Sequence, residues 1–155
     1  MRGKKAPTRK IQPDSLYDSK TVARFINCVM LHGKKSLARK YVYGAMDQAA
    51  ADLKKKPMEV LEGALDNVKP AVEVRSRRVG GANYQVPMPV EEDRQEALAL
   101  RWIVNVTRKK KGKDFQDLLK EELLNAYKGE GDAVRIKEET ERMAEANKAF
   151  AHFRW

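Results

Sequence analysis

The chain has 155 residues, 42% apolar and 35% charged, which is enough for one domain with one hydrophobic core. Its net charge of +10 is uneven, because residues 1–113 hold 25 basic and 12 acidic side chains whereas residues 114–155 hold 7 and 10, and the excess predicts a polyanion-binding surface in the first two thirds. The composition argues against a membrane span, a secretory signal and an internal disulfide, and the single Cys28 suits the reducing cytoplasm.

Residues 1–13 form a basic segment without helical or strand periodicity, and its two prolines disfavour helix. Such a segment is either a solvated terminus or an arm that becomes ordered on a phosphate backbone. Residues 14–155 are then predicted to form the single domain. The cations that would serve the arm are Arg2, Lys4, Lys5, Arg9 and Lys10.

Three amphipathic helices are predicted before residue 70. Asp18 or Ser19 caps the first, and Gly33 is expected to end it. The second ends in the lysines at 54–56, where the helix dipole favours cations. The residues on its apolar face are Leu37, Tyr41, Val42, Met46, Ala49 and Leu53. Pro57 suits the first position of the third helix.

The period changes after residue 70, where apolar and charged residues alternate as in a strand. Gly80 and Gly81 then separate two short extended runs, which predicts a β-hairpin over about residues 72–87. A two-stranded hairpin is marginally stable alone in water. It must therefore pack on helices, bind a partner or be mobile.

Three more helices are predicted after the hairpin. The fourth opens with acidic residues at 91–93 and ends in the basic run 108–113, the fifth covers about 114–128, and the sixth runs from Asp132 towards Phe150. The predicted fold is mainly α: a six-helix single domain with a protruding two-stranded β-hairpin between helices three and four.

Catalytic and metal-binding chemistry is poorly represented. His32 and His152 are far apart in the chain, and Cys28 lies beside an apolar helical stripe, where packing explains it better than nucleophilic chemistry. These residues do not provide a usual zinc set, and the glycine pair has no phosphate-loop context. We therefore expect no enzyme activity and no cofactor.

Binding chemistry is richer. Arg75, Arg77 and Arg78 crowd one strand of the hairpin and Tyr84 lies across the turn, so the hairpin offers forked donors for phosphate and a ring for base stacking. The alternative is a charged strand edge that avoids aggregation. Further basic clusters recur on other elements: Lys34 and Lys35, and Arg108, Lys109, Lys110 and Lys111.

Three segments carry a resemblance to a known family. They are the string from Val74 to Pro87 (VRSRRVGGANYQVP), the string LALRWI at 98–103 and the C-terminal string MAEANKAFAHFRW at 143–155. With the turn at 33–35, they resemble the bacterial type of the small ribosomal subunit protein seven family, over essentially the whole chain. The resemblance implies a helical fold with a β-hairpin.

The resemblance also implies partners. It predicts a structural constituent of the small ribosomal subunit that binds the 3′ major domain of the small-subunit (16S) rRNA, nucleates head assembly and lies at the subunit interface near the exit-site tRNA. The arm, the turn at 33–35 and the run 108–111 would bind rRNA. The hairpin residues closest to tRNA would be Arg75, Arg77, Arg78, Gly80, Gly81 and Tyr84. Small ribosomal subunit protein eleven, among other head proteins, would contact Phe150, His152, Phe153, Arg154 and Trp155.

Three other functions remain open on the residues alone. A DNA-binding regulator would fit the helices and basic ends, although no helix-turn-helix with polar base-reading residues is evident. An RNA-processing enzyme would need a clustered acid and base set, which the sequence lacks. A peripheral membrane protein would gather its cations on one amphipathic helix, whereas here they are dispersed.

Overall fold

The computed structural model describes Gly3, Ala6 and residues 10–153. Helix α1 spans Lys20–Val29, and Ser19 caps it as predicted, since its hydroxyl accepts from the Val22 amide at 3.4 Å. The prediction that Gly33 ends this helix is wrong, because Met30 is already extended. The glycine instead takes a positive φ of 73° in the turn that follows, where no side chain hinders it.

Helix α2 spans Lys35–Leu53 and α3 spans Pro57–Val68. Lys54 adopts the left-handed conformation that ends α2, and Pro57 opens α3 as predicted. The apolar face predicted for α2 is buried only in part, since Leu37 in its first turn is 42% exposed whereas Val42 and Met46 are buried.

The hairpin consists of β1, Val72–Val79, and β2, Ala82–Pro89, paired antiparallel with Arg77 opposite Tyr84 and Arg78 opposite Asn83. It is two residues longer than predicted. Gly80 and Gly81 form the two-residue loop with φ of 59° and 94°, and such loops favour residues that tolerate positive φ.

Helix α4 spans Glu92–Lys109, α5 spans Phe115–Tyr127 and α6 spans Asp132–Ala146. A short 3₁₀ helix, Lys148–Phe153, follows, so the sixth α-helix ends earlier than expected. The predicted class is otherwise confirmed: six α-helices with a hairpin between the third and fourth. Among the helices of the described residues, none is long and apolar enough to cross a bilayer.

The core lies where α5 packs between α2, α3 and α4, with α1 closing one side. Its largest fully buried apolar side chains come from five helices and include Phe25, Met46, Leu61, Ile103 and Leu123. The hairpin packs through β1 and β2 on α6, and through β2 on the C-terminal 3₁₀ helix. A two-stranded hairpin is marginally stable alone, and packing on these helices supplies part of the support that it needs.

Candidate nucleic-acid interface

The root of the hairpin is fixed to the helical body by a buried carboxylate. Glu73 is only 8% exposed and accepts from the Arg75 side-chain Nε at 2.6 Å. Its second oxygen accepts from Arg94 of α4 at 3.3 Å. Arg75 therefore uses part of its donor capacity inside the protein, and the hairpin leaves the body at a set angle.

The outer half of the hairpin carries arginines on both faces, because side chains alternate along a strand. Arg77 lies opposite Tyr84, and Arg78 points to the other face opposite Asn83. Arg78 is exposed and Arg77 partly so. Neither forms an ion pair with a residue that the structure describes, so both cations are available to a ligand.

Tyr84 has partners within the protein. Its ring lies 5.2 Å from the ring of Phe150 and 5.0 Å from that of Phe153, measured between centroids. The C-terminal 3₁₀ helix thus forms an aromatic cluster with the middle of β2, and Tyr84 is half-buried. The main contacts of the Tyr84 ring therefore hold the hairpin against the C-terminal segment. Sequence reasoning missed this contact because 66 residues separate Tyr84 and Phe150.

A second cationic area surrounds the start of α2. Lys10, Lys35 and Arg39 line one cavity of about 300 Å³, and Lys34 is exposed beside it. The Nε of Arg39 is buried and has no hydrogen-bond partner in the described part of the chain. Sequence reasoning missed Arg39, although its spacing of four from Lys35 places the two on one helical face.

Asp14 fixes the point from which the N-terminal segment reaches this area. The residue is 5% exposed and accepts from the Tyr43 hydroxyl at 2.6 Å and the Leu16 amide at 3.1 Å. Burial by itself would raise the pKa of Asp14, but these hydrogen bonds outweigh burial and hold the pKa below its ordinary value. The carboxylate therefore anchors Lys10 and its neighbours near α2.

Some cations at the basic end of α4 have partners inside the protein, whereas others are exposed to solvent. Arg108 donates to the carbonyl oxygens of Cys28 and Val29 at 3.2 and 3.1 Å, which satisfies the end of α1. Lys110 donates to buried Glu122 at 2.6 Å and lies 3.2 Å from Asp132. Burial opposes the charged form of Lys110, but the two carboxylates raise its pKa overall. Lys109 and Lys111 stay exposed.

Three of the six described cations in residues 114–155 have acidic partners, as does Lys113 just before them. The pairs are Lys113 with Glu121, Lys120 with Asp52, Arg135 with Asp132 and Lys148 with Glu145. On the hairpin and at the start of α2, by contrast, Arg77, Arg78, Lys34 and Lys35 form no ion pair with a described residue. Part of the positive excess of residues 1–113 is therefore unpaired on these two surfaces.

Several predicted site residues lie outside the described residues: Arg2, Lys4, Lys5, Arg9, Arg154 and Trp155. His152 is described, is exposed, and lies 2.9 Å from the Ala149 carbonyl oxygen through Nδ1. Over residues 10–153, no three or more His, Cys, Asp or Glu side chains gather as metal ligands would.

A helical body with a basic hairpin and separate groups of free cations has the features of a nucleic-acid-binding protein. The sequence matches the family described as ribosomal protein S7p/S5e over residues 1–148, and the chain belongs to that family. It is 55% identical to small ribosomal subunit protein uS7 of Thermosipho africanus and 53% identical to that of Thermotoga maritima, over all of both chains. With the protein of the same name from Symbiobacterium thermophilum it shares 54% over 96% of each chain.

Family membership confirms the resemblance and the broad role expected from it. The chain is a structural constituent of the small ribosomal subunit and not an enzyme. As a ribosomal protein of bacterial type it works in the cytoplasm. Family membership does not say which RNA each surface contacts, and the positions of the cations without acidic partners indicate where RNA would bind.

Proposed function

We propose that the protein binds the 3′ major domain of small-subunit rRNA, nucleates assembly of the subunit head there, and holds its hairpin near the exit-site tRNA. One observation carries the proposal. Arg78, Lys34 and Lys35 are exposed and Arg77 partly so, and none of them has an acidic partner among the described residues, whereas Lys120, Arg135 and Lys148 of the last third are paired. RNA phosphates are the ligand that such cations suit.

The rRNA contacts would be spread over several elements of one rigid body. Because the cationic groups sit at fixed separations, they would hold several RNA segments in a set arrangement while phosphate contacts supply affinity. Arg108 and Lys110 would contribute through their exposed parts, since both have partners inside the protein. The proposed rRNA-binding residues are Arg2, Lys4, Lys5, Arg9, Lys10, Lys34, Lys35, Arg108, Lys109, Lys110 and Lys111.

The tip of the hairpin would approach tRNA. Gly80 and Gly81 are exposed and carry no side chain, so a ribose-phosphate backbone can come close to the turn. Arg77 and Arg78 flank it with free guanidinium groups on the two faces. Arg75 and Tyr84 would act mainly by setting the position of the hairpin, through Glu73 and the aromatic cluster respectively.

The C-terminal segment would meet a neighbouring head protein, small ribosomal subunit protein eleven. Phe150 and Phe153 turn one side to Tyr84, and His152 faces solvent. The exposed side of this segment, with Arg154 and Trp155 beyond it, is the surface offered to that partner. Contact there would bear directly on the hairpin, because the same residues support β2.

The experiment compares two double variants that remove equal charge. Arg77→Ala with Arg78→Ala should weaken binding to a transcript of the rRNA 3′ major domain. For every cation that meets a phosphate, its removal should lower the slope of log affinity against log salt by about 0.7–0.9. Arg135→Ala with Lys148→Ala removes two cations that are 79% and 74% exposed but lie beside acids, so its binding should stay close to that of the wild type.

Circular dichroism should show the same helix content in both double variants. Equal loss of affinity in the two would mean that net charge alone governs binding, and the assignment to the hairpin would fall. A wild-type preference for duplex DNA over the transcript at matched salt would contradict the proposal as a whole and favour a DNA-binding role.

A further inference from the structure

An apolar cavity of about 320 Å³ opens beside the turn between α1 and α2. Its mouth is formed by Leu31 and Leu37, which are 55% and 42% exposed and belong to the few large apolar side chains that this part of the chain leaves in solvent. Exposed leucines scattered singly need no explanation. Two that share one cavity mark a surface suited to an apolar or aromatic ligand.

The wall of the cavity is aromatic. Tyr41 of α2 and Phe115 of α5 lie 5.6 Å apart between ring centroids, with their planes tilted by 59°. Both rings also line the cavity, so one face or edge of each is open to an occupant. A flat, conjugated ligand is the kind that such a wall stabilises, because ring-on-ring contacts add to simple burial.

The rim of the cavity is cationic. Arg108 is held in place by its hydrogen bonds to the Cys28 and Val29 carbonyl oxygens, at 3.2 and 3.1 Å. Lys34 is exposed and has no ion pair among the residues described, and both side chains line the cavity. His32, which also lines the cavity, takes a positive φ of 50° in the same turn.

We propose that this cavity binds one unpaired nucleobase of RNA that is turned out of its stack. The base would lie among Leu31, Leu37, Tyr41 and Phe115, and its flanking phosphates would meet Lys34 and Arg108. Sequence-specific recognition of RNA works largely through such unstacked bases held on aromatic side chains. The inference rests on the proposed function and adds a base-reading site away from the hairpin.

Size and charge together select this occupant. A cavity of about 320 Å³ is at the small end of the range for small-molecule sites and suits one ring system rather than a helix. An apolar side chain from a neighbouring protein would also fill it, but would leave the cations on the rim without an anion. A nucleotide satisfies both parts of the site at once.

The test uses the full chain and a transcript of the rRNA 3′ major domain. Leu37→Glu places a carboxylate at the mouth of the cavity and should reduce affinity by at least about fivefold, the lower end of the effect of losing one stacked base. Met143→Glu is the matched control, since Met143 is 47% exposed on α6 and the charge change is the same. Its affinity should stay within about twofold of the wild type, as expected for a surface change away from the RNA.

A second variant separates stacking from charge. Phe115→Leu keeps apolar volume but removes a ring, so affinity should fall while the salt slope stays unchanged. Lys34→Ala should lower the slope by about 0.7–0.9. Chemical probing should find an unpaired base that the wild type protects and Leu37→Glu leaves reactive.

The outcomes separate this inference from the proposed function. If the wild type binds the transcript and Leu37→Glu binds as well as Met143→Glu, the base site is wrong and the proposed function stands. If the wild type itself fails to bind, the proposed function fails first. If Leu37→Glu binds RNA normally but loses a neighbouring protein during subunit assembly, the cavity belongs to a protein side chain, and the base assignment is overturned.

Discussion

At the scale of single residues, Glu122 joins three helices. Its side chain is fully buried in α5, and it accepts from the Lys110 ammonium after α4 at 2.6 Å and from the Ala133 amide of α6 at 2.9 Å. A buried carboxylate is tolerated only when its oxygens have partners. Glu122 therefore specifies how the ends of α4 and α6 meet, and it draws Lys110 away from the surface.

Glu122→Ala should lower the free energy of unfolding by about 3 kcal/mol, because it leaves the Lys110 charge and the Ala133 amide without their buried partner. Glu121→Ala is the control, since the Glu121 side chain is 42% exposed beside Lys113 and such a pair contributes about 1 kcal/mol or less. Urea unfolding of both variants measures the difference. Equal small losses would show that Glu122 does not hold the helices together.

Asp14 predicts a pH dependence. Because its folded pKa lies below the ordinary 3.8, its carboxylate stabilises the fold at neutral pH, and that contribution is lost as pH falls through the folded pKa. Asp14→Asn, which stays neutral throughout, should be less stable than the wild type at neutral pH. The difference should shrink as the pH drops below the ordinary pKa of the carboxyl group.

Thermal unfolding across that range gives the measurement. Tyr43→Phe removes one hydrogen bond to the carboxylate and should reduce the pH dependence only in part. A difference in thermal stability between the wild type and Asp14→Asn that stays constant from neutral to acidic pH would mean that the pKa of this carboxyl is not depressed in the folded chain.

At the scale of elements, the hairpin depends on the C-terminal 3₁₀ helix. A lone two-stranded hairpin is marginal, and the packing that supports this one comes from α6 and from the rings of Phe150 and Phe153 on Tyr84. Glu73 fixes the root, whereas the aromatic cluster supports the strand that returns from the tip. The hairpin can therefore be loosened without disturbing the helical core.

Phe150→Ala with Phe153→Ala should speed hydrogen exchange of the β2 amides around Tyr84 and leave the protection of the core helices unchanged. Lys148→Ala, in the same 3₁₀ helix but 74% exposed, should leave the hairpin as it is in the wild type. Unaltered hydrogen exchange in β2 after removal of both rings would show that packing on α6 and the Glu73 hydrogen bonds are sufficient to hold the hairpin in place.

At the scale of the whole molecule, the sequence predicts those structural features that depend on residues close together in the chain. Helical spacing, Ser19, Pro57 and the glycine pair at 80–81 placed six helices and a hairpin, because each signal acts within a few residues. Contacts between distant segments were not predictable in this way. Tyr84 with Phe150 and the internal partners of Lys110 depend on how the elements pack.

The same limit applies to the candidate site. The sequence identified the basic clusters, but it could not tell free cations such as Arg78 and Lys34 from internal ones such as Arg108. It also put Leu37 on the same apolar face as Met46, although Met46 is buried and Leu37 lines an open cavity. Composition shows that a surface suits a polyanion, and only the packing shows which side chains remain available to it.

The central claim is that this protein organises the 3′ major domain of small-subunit rRNA, and crosslinking to RNA in living cells tests it most directly. We expect the crosslinked sites to cluster in that domain, with peptides from the hairpin and from the start of α2 among the attached ones. Crosslinks concentrated in another rRNA domain, or spread over cellular RNA without preference, would contradict the claim.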